Sequence, residues 1–240
     1  MPLESGAGLS TVESTAPGLV DLYKKAGVSL RNNGLAGERA AVYLVLDRSG
    51  SMRPYYRDGT VQHLAEQVLS LGAHLDDDGA VPLVFFSTDV DGTALLSLTD
   101  YRGRVQQLHD ELGHMGRTNY HWAMDEVIDH HLASGNEAPA LVVFQTDGGP
   151  TSRFAAERHL CKAARLPLFW QFIGFGAPDD DEFAFLHKLD DLPVPEKRVV
   201  DNAGFFHAGA DPRAVADSEV YDQLLGEFPT WLTAARQAGI

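Results

Sequence analysis

The sequence contains a single cysteine, Cys161, among 240 residues. An internal disulfide is therefore excluded, and this cysteine usage suits a reducing compartment, so we predict a cytoplasmic protein. The chain has no uninterrupted apolar stretch of about 18 residues, as a transmembrane helix would need. The N-terminus lacks the basic region and apolar core of a secretory signal. We therefore expect no membrane association.

Basic residues are also few. The chain has 19 Lys and Arg against 34 Asp and Glu, a formal net charge of −15. A phosphate polyanion would be repelled on average, so we expect no nucleic-acid partner. The ten histidines include no His-Glu-x-x-His pattern, and His130 and His131 are neighbours that cannot share a helix face. Zinc binding is therefore not predicted.

Hydrophobic residues make up 44% of the chain, enough for one large core. Apolar strand-like runs alternate along the chain with segments of helical periodicity. This alternation predicts an α/β fold: a Rossmann-like, doubly wound, mainly parallel six-stranded sheet with helices on both faces. Asp91-Gly92 lies between two apolar runs and predicts a hairpin turn that adds one antiparallel edge strand.

The composition also divides the chain. Residues 1–15 are rich in Gly, Ser and Thr, and we predict a disordered tail there. Residues 16–39 are expected to form an N-terminal extension that packs on the domain. Residues 40–240 form the domain itself, without an internal repeat or linker.

The most informative segment follows the predicted strand 41–46. The strand ends in Asp47-Arg48-Ser49-Gly50-Ser51, which brings one carboxylate and two hydroxyls into one loop. In open α/β sheets, ligands bind at the carboxyl ends of the strands. The polar atoms of Asp47, Ser49 and Ser51 are all oxygens, which hard cations such as Mg²⁺ prefer.

Two later segments complete a pattern. Thr118 lies in a loop that begins at Gly116, and a second buried strand ends in Thr146-Asp147-Gly148. Asp-x-Ser-x-Ser, then a loop threonine, then Thr-Asp-Gly after a strand resembles the metal-ion-dependent adhesion site of von Willebrand factor type A (vWA) domains. Helix capping would explain single serines in such loops, but not this three-part pattern.

Other strings resemble one subgroup of these domains. LYKKAGVSL (22–30), DRSGSM (47–52), FIGFG (172–176) and VDNAGFF (200–206) are similar to the tellurium-resistance, or TerF-like, subgroup. This similarity covers about residues 16–237. It implies a part in a stress response such as tellurium resistance.

The resemblance also implies roles for residues. The metal site would consist of Asp47, Ser49, Ser51, Thr118 and Asp147. The three hydroxyls would be direct ligands, and the two aspartates would act through water or by orienting them. The cation would be a divalent metal, Mg²⁺ first, with Mn²⁺ or Ca²⁺ open. One coordination position would accept an Asp or Glu carboxylate from a protein partner, so the resemblance implies a binding module and no enzyme.

Arginines lie in the same loops. We expect Arg48, Arg53, Arg57 and Arg117 to rim the metal, where they would favour an acidic partner. Alternatively, they neutralise nearby aspartates such as Asp47, Asp58 and Asp147, or are solvated.

Two other functions remain open. Asp89-Val90-Asp91-Gly92-Thr93 matches the motif of haloacid-dehalogenase-like phosphatases, in which Asp89 would be the nucleophile and Asp91 the acid or base of a Mg²⁺-dependent hydrolase. The same residues also read as the hairpin turn described above. A vestigial site in a protein that acts by surface contacts alone is the other possibility.

Overall fold

We describe a computed structural model of the chain over residues 6–177 and 183–240. Its helices and strands, in chain order, are α1 Leu9–Thr15, α2 Val20–Asn32, β1 Ala41–Asp47, α3 Arg53–Arg57, α4 Thr60–Leu75, β2 Ala80–Phe86, β3 Val90–Ser97, α5 Arg104–Glu111, α6 Tyr120–Ser134, β4 Ala140–Thr146, α7 Arg153–Ala163, β5 Leu168–Gly174, α8 Ala184–Asp190, β6 Ala203–His207, α9 Asp217–Leu225 and α10 Phe228–Ala238. Among these described residues, no helix is both long enough and apolar enough to span a bilayer.

The strands form one six-stranded sheet in the order β3-β2-β1-β4-β5-β6. Neighbours are parallel, except that β3 runs antiparallel to β2 at one edge. The predicted fold class is therefore confirmed. From β1 the chain continues to β2, towards one edge of the sheet, and from the adjacent β4 it continues to β5, towards the other edge. The carboxyl ends of β1 and β4 thus form the switch point where α/β sheets bind ligands.

Both faces of the central strands are buried, because side chains alternate between two layers of helices. Val42, Leu44 and Leu46 of β1 belong to the core layer that includes residues of α2, α4, α9 and α10. Tyr43 and Val45 belong to the opposite layer, with residues of α6, α7 and α8. Every residue of β1 and β4 is buried, so these strands hold the loops at their ends in fixed positions.

The hairpin was predicted correctly, but its turn was not. The turn lies at residues 87–89, where the Ser87 amide donates to the Asp89 carbonyl at 2.8 Å. Asp91 and Gly92 lie within β3, at a bulge opposite Phe85 and Phe86. Gly92 is not among the positive-φ glycines. It serves close packing instead, because a Cβ there would lie 2.8 Å from a methyl carbon of Leu112.

The predicted disorder of residues 1–15 is wrong for residues 9–15, which form α1. Residues 1–5 lie outside the described ranges. Val12 is fully buried in the same core layer as α2. The Ala7 amide donates to the Ala73 carbonyl at 2.7 Å, which ties the segment to α4. Because Val12 is the one buried residue of α1, the sequence of this helix shows no apolar periodicity. The composition alone therefore pointed to disorder.

Candidate metal centre

The site begins with Asp47, the last residue of β1, whose side chain is fully buried. One carboxylate oxygen accepts the Ser49 amide at 2.6 Å, and the other accepts the Thr146 hydroxyl at 2.7 Å. Thr146 is the last residue of β4. The Asp47 carboxylate therefore joins the ends of the two central strands and fixes the start of the Asp-x-Ser-x-Ser loop.

Three oxygen-bearing side chains converge above this carboxylate. The Ser49 hydroxyl donates to an Asp147 carboxylate oxygen at 3.3 Å and lies 3.2 Å from the Ser51 hydroxyl oxygen. Ser49 is 5% exposed, so it lies at the bottom of the group, whereas Ser51 is exposed. The loops after β1 and β4 thus place a second hydroxyl and a carboxylate within hydrogen-bonding distance of the Ser49 hydroxyl.

Thr118 joins them from a third loop. Ser49 forms an isolated parallel bridge with Gly116, and the Gly50 amide donates to the Gly116 carbonyl at 3.2 Å. The Thr118 carbonyl accepts the Thr151 amide at 2.7 Å, which links this loop to the one after β4. Gly116 is required by close approach, because a Cβ there would lie 2.4 Å from the Thr88 hydroxyl oxygen.

These loops surround a hollow of about 600 Å³ at the carboxyl edge of the sheet. Its lining comprises Ser51, Pro54, Tyr55, Asp58, Thr118, Asp147, Gly148, Gly149, Phe175, Gly176 and Ala210. Of the five predicted site residues, three line the hollow, Ser49 lies beside two of these, and Asp47 lies below. The structure brings all five together, and whether they hold a metal stays a prediction.

Sequence reasoning missed Phe175, which forms the aromatic wall of this hollow together with Tyr55. The rings of Tyr55 and Phe175 lie 5.3 Å apart. Phe175 follows β5, so the same rule that located Asp147 could have found it. The Tyr120 hydroxyl also donates to the Gly148 carbonyl, and this contact holds the loop that carries Asp147.

Electrostatics favour a cation here. Burial, and to a lesser extent the nearby Asp147, raise the pKa of Asp47 to about 7, although hydrogen bonds from Thr146 and Ser49 lower it. In the described part of the chain, no three or more His, Cys, Asp or Glu side chains are grouped as metal ligands. The donor set is instead hydroxyl oxygens with two carboxylates, which fits a hard divalent cation.

Arg48 does not rim the hollow, so that prediction is wrong. Its side chain is 1% exposed and forms an ion pair of 2.8 Å with Asp91. Its remaining N–H groups donate to His109 and to the carbonyls of Leu112 and Gly113. Arg53, Arg57 and Arg117 are exposed, but none of them is among the residues that line the hollow. Arg48 thus neutralises an aspartate outside the site and anchors the loop after α5.

Comparison with known proteins identifies the family. Residues 39–240 match the model of the vWA-TerF-like family, which is described as "vWA found in TerF C terminus". The chain belongs to the TerF-like vWA family. The uncharacterized protein YcbR of Bacillus subtilis (strain 168) is 35% identical over 226 residues, which cover 92% of this chain and 89% of YcbR.

Solved vWA domains share the fold. Manganese-loaded Plasmodium vivax TRAP protein has a TM-score of 0.53 and 21% identity, over 77% of this chain and 74% of that chain. The von Willebrand factor type A protein from Catenulispora acidiphila has a TM-score of 0.52 and 15% identity, over 80% of this chain and 44% of that chain. At these identities the likeness concerns the fold alone.

The Arg48–Asp91 pair gives a prediction about stability. Asp91→Asn leaves the buried guanidinium without its counter-charge, so we expect the free energy of unfolding to fall by about 3 kcal/mol. Asp89→Asn changes an exposed side chain two residues away and is expected to stay within about 0.5 kcal/mol of wild type. Urea denaturation measures both. Equal stability of the two variants would contradict the structural role of Asp91.

Asp47 gives a prediction about pH. Its pKa is about 7 when folded and about 3.9 when unfolded. Between these values the folded state binds more protons, so rising pH lowers the free energy of unfolding, by at most about 1.4 kcal/mol per pH unit. Denaturation of chelator-treated protein at pH 5 to 8 should show a steeper fall in wild type than in Asp47→Asn. Equal slopes would mean that Asp47 does not titrate in this range.

Proposed function

We propose that this vWA domain is a non-enzymatic, metal-dependent protein-binding module. The observation that carries the proposal is the convergence of Ser49, Ser51, Thr118 and Asp147 around one hollow, above the buried Asp47. Hydroxyls and carboxylates from three loops at a topological switch point are what binding of a hard cation requires.

In this proposal, the hydroxyls of Ser49, Ser51 and Thr118 hold Mg²⁺, and Mn²⁺ or Ca²⁺ can take the same place. Asp47 and Asp147 contribute charge and orient the hydroxyls, as Asp47 already does for the Ser49 loop. The manganese-loaded state of TRAP supports a divalent ion in this fold. Neutral hydroxyl ligands would leave the bound ion able to accept a carboxylate at an open position.

The shape of the hollow favours a side chain of a partner protein at the open coordination position of the metal. Its volume of about 600 Å³ admits an Asp or Glu side chain from above. Tyr55 and Phe175 form a wall that can pack against the aliphatic part of that residue. We therefore propose that the partner is a protein that presents an acidic side chain.

Hydrolysis at Asp89 and Asp91 receives no support from the geometry. The Asp91 carboxylate accepts hydrogen bonds from an N–H group of Arg48 and from the hydroxyl of Ser87, each at 2.8 Å, and so has a structural role.

Membership of the TerF-like family supports a role in a stress response such as tellurium resistance. The lone cysteine supports a cytoplasmic location.

The test is calorimetric titration of Mg²⁺, Mn²⁺ and Ca²⁺ into chelator-treated protein. Wild type should bind one ion, and Asp47→Ala and Ser49→Ala should lower the affinity at least tenfold. Thr99→Ala removes an exposed hydroxyl in the turn after β3 and should bind the ion like wild type.

Saturable binding that is unchanged in both site variants would overturn the placement of the metal. No binding by folded wild-type protein would overturn the metal-dependent mechanism and favour a vestigial site. Circular dichroism of each variant shows whether it is folded, so a loss of affinity can be separated from unfolding.

A further inference from the structure

A second hollow lies beside the metal centre, on the other side of α3. It encloses about 420 Å³ between α3 and α5, and we call it the α3–α5 pocket. Its lining comprises Arg53, Tyr56, Arg57, Asp58, Gly59, Gln62, Gln106 and His109. Asp58 lines the metal-centre hollow as well, so the two hollows adjoin at the C-terminal end of α3.

The pocket concentrates positive charge in a strongly acidic protein. Arg53 and Arg57 are four residues apart, so their side chains share one face of α3. Both are exposed, and neither forms an ion pair within residues 6–177 and 183–240. Asp58 is the only acidic residue in the lining. One of its carboxylate oxygens is already bonded to the Thr60 amide and hydroxyl, at 2.9 and 2.6 Å.

The buried Arg48 gives the pocket a further hydrogen-bond donor. Its Nε–H donates to His109 Nδ1 at 3.2 Å, so Nδ1 is the acceptor. A neutral imidazole whose Nδ1 accepts carries its proton on Nε2, which leaves an N–H for the pocket. The His109 ring is held by stacking on Tyr56, with ring centroids 4.0 Å apart. The Tyr56 hydroxyl donates to the Asp47 carbonyl at 3.0 Å, so Tyr56 contacts both the pocket and the start of the metal-binding loop.

Other polar groups of the lining are already engaged. The Gln62 amide nitrogen donates to Glu66 and to the Tyr101 carbonyl, and its oxygen accepts the Val105 amide. The Gln106 amide nitrogen donates to Asp110 at 2.7 Å. The lining therefore offers a ligand two guanidinium groups and one imidazole N–H, against the single carboxylate of Asp58, and this excess of donors suits an oxyanion.

We propose that the α3–α5 pocket binds a second carboxylate of the same partner. This inference rests on the proposed function: the partner is an acidic segment with one carboxylate at the metal centre and another against Arg53 and Arg57. A helix with its side chains is about 10–12 Å wide, and an extended chain advances about 3.3 Å per residue. A span of about 10–12 Å corresponds to roughly three to four residue steps, so we expect about two or three residues between the two acidic residues of the partner.

The test uses two synthetic peptides, acetyl-Glu-Ala-Ala-Ala-Glu-amide and acetyl-Glu-Ala-Ala-Ala-Gln-amide. Each is titrated into the full chain with saturating Mg²⁺ and followed by NMR shifts of the backbone and the arginine Nε–H groups. Wild type should bind the first peptide roughly five- to tenfold more tightly than the second. In Arg53→Gln/Arg57→Gln the two peptides should bind equally, while Mg²⁺ should bind at least as tightly as in wild type, because the two charges that are removed are positive.

The matched control is Arg31→Gln/Arg165→Gln, which removes the same charge from exposed positions. Arg165 precedes β5, at the edge of the sheet opposite the metal centre. Arg31 lies in the last turn of α2, near Gly27 and His74. This control should keep the preference for the first peptide, because only general charge attraction is weakened.

A preference that persists in Arg53→Gln/Arg57→Gln, or that is absent in wild type, would overturn the pocket assignment. Loss of the preference in the matched control would also overturn it, because general charge would then explain the effect. Failure of the proposed function is distinguishable. Chelation of Mg²⁺ would then leave the binding of both peptides unchanged, while the arginine-dependent preference would remain.

Discussion

The rest of the site depends on one buried carboxylate. Asp47 lies at the end of β1, accepts the Thr146 hydroxyl from β4, and accepts the amide of Ser49 from its own loop. These two hydrogen bonds link the carboxyl ends of β1 and β4 and hold Ser49 towards Asp147. Its burial is unfavourable for a charge, as the raised pKa shows. We expect a cation at this place because it would stabilise the charged form of the buried Asp47 carboxylate, which lies beneath three hydroxyls and the carboxylate of Asp147.

Much of this was predictable from the sequence, because strand ends can be read from apolar runs. Two fully buried parallel strands that end in Asp47 and in Thr146-Asp147 must bring those residues to the same edge of the sheet. The mainly parallel arrangement followed from the alternation of strands and helices. The antiparallel edge strand was predicted from Asp91-Gly92, although these two residues lie within β3 and not in the turn. Thr118 came from a resemblance and not from geometry, since a single threonine in a glycine loop carries no spatial information.

Features that depend on distant contacts were not predictable. Arg48 looks like a surface residue in a polar loop, but its guanidinium pairs with Asp91, which lies 43 residues later at a bulge between β2 and β3. Burial of Arg48 also orients His109, and thereby shapes a pocket that no motif marks. The helix α1 was not predicted for a similar reason, because Val12 is the one buried residue within it and the rest of its attachment is made by distant contacts such as that of Ala7 with Ala73.

We propose that a divalent ion binds beside Ser49, Ser51 and Thr118. Anomalous diffraction from crystals grown with Mn²⁺ tests it most directly, because it locates the ion itself. We expect one anomalous peak in the hollow at the carboxyl edge of β1 and β4, roughly 2–2.3 Å from the serine and threonine hydroxyl oxygens. A peak at another place, or none at saturating Mn²⁺, would contradict it.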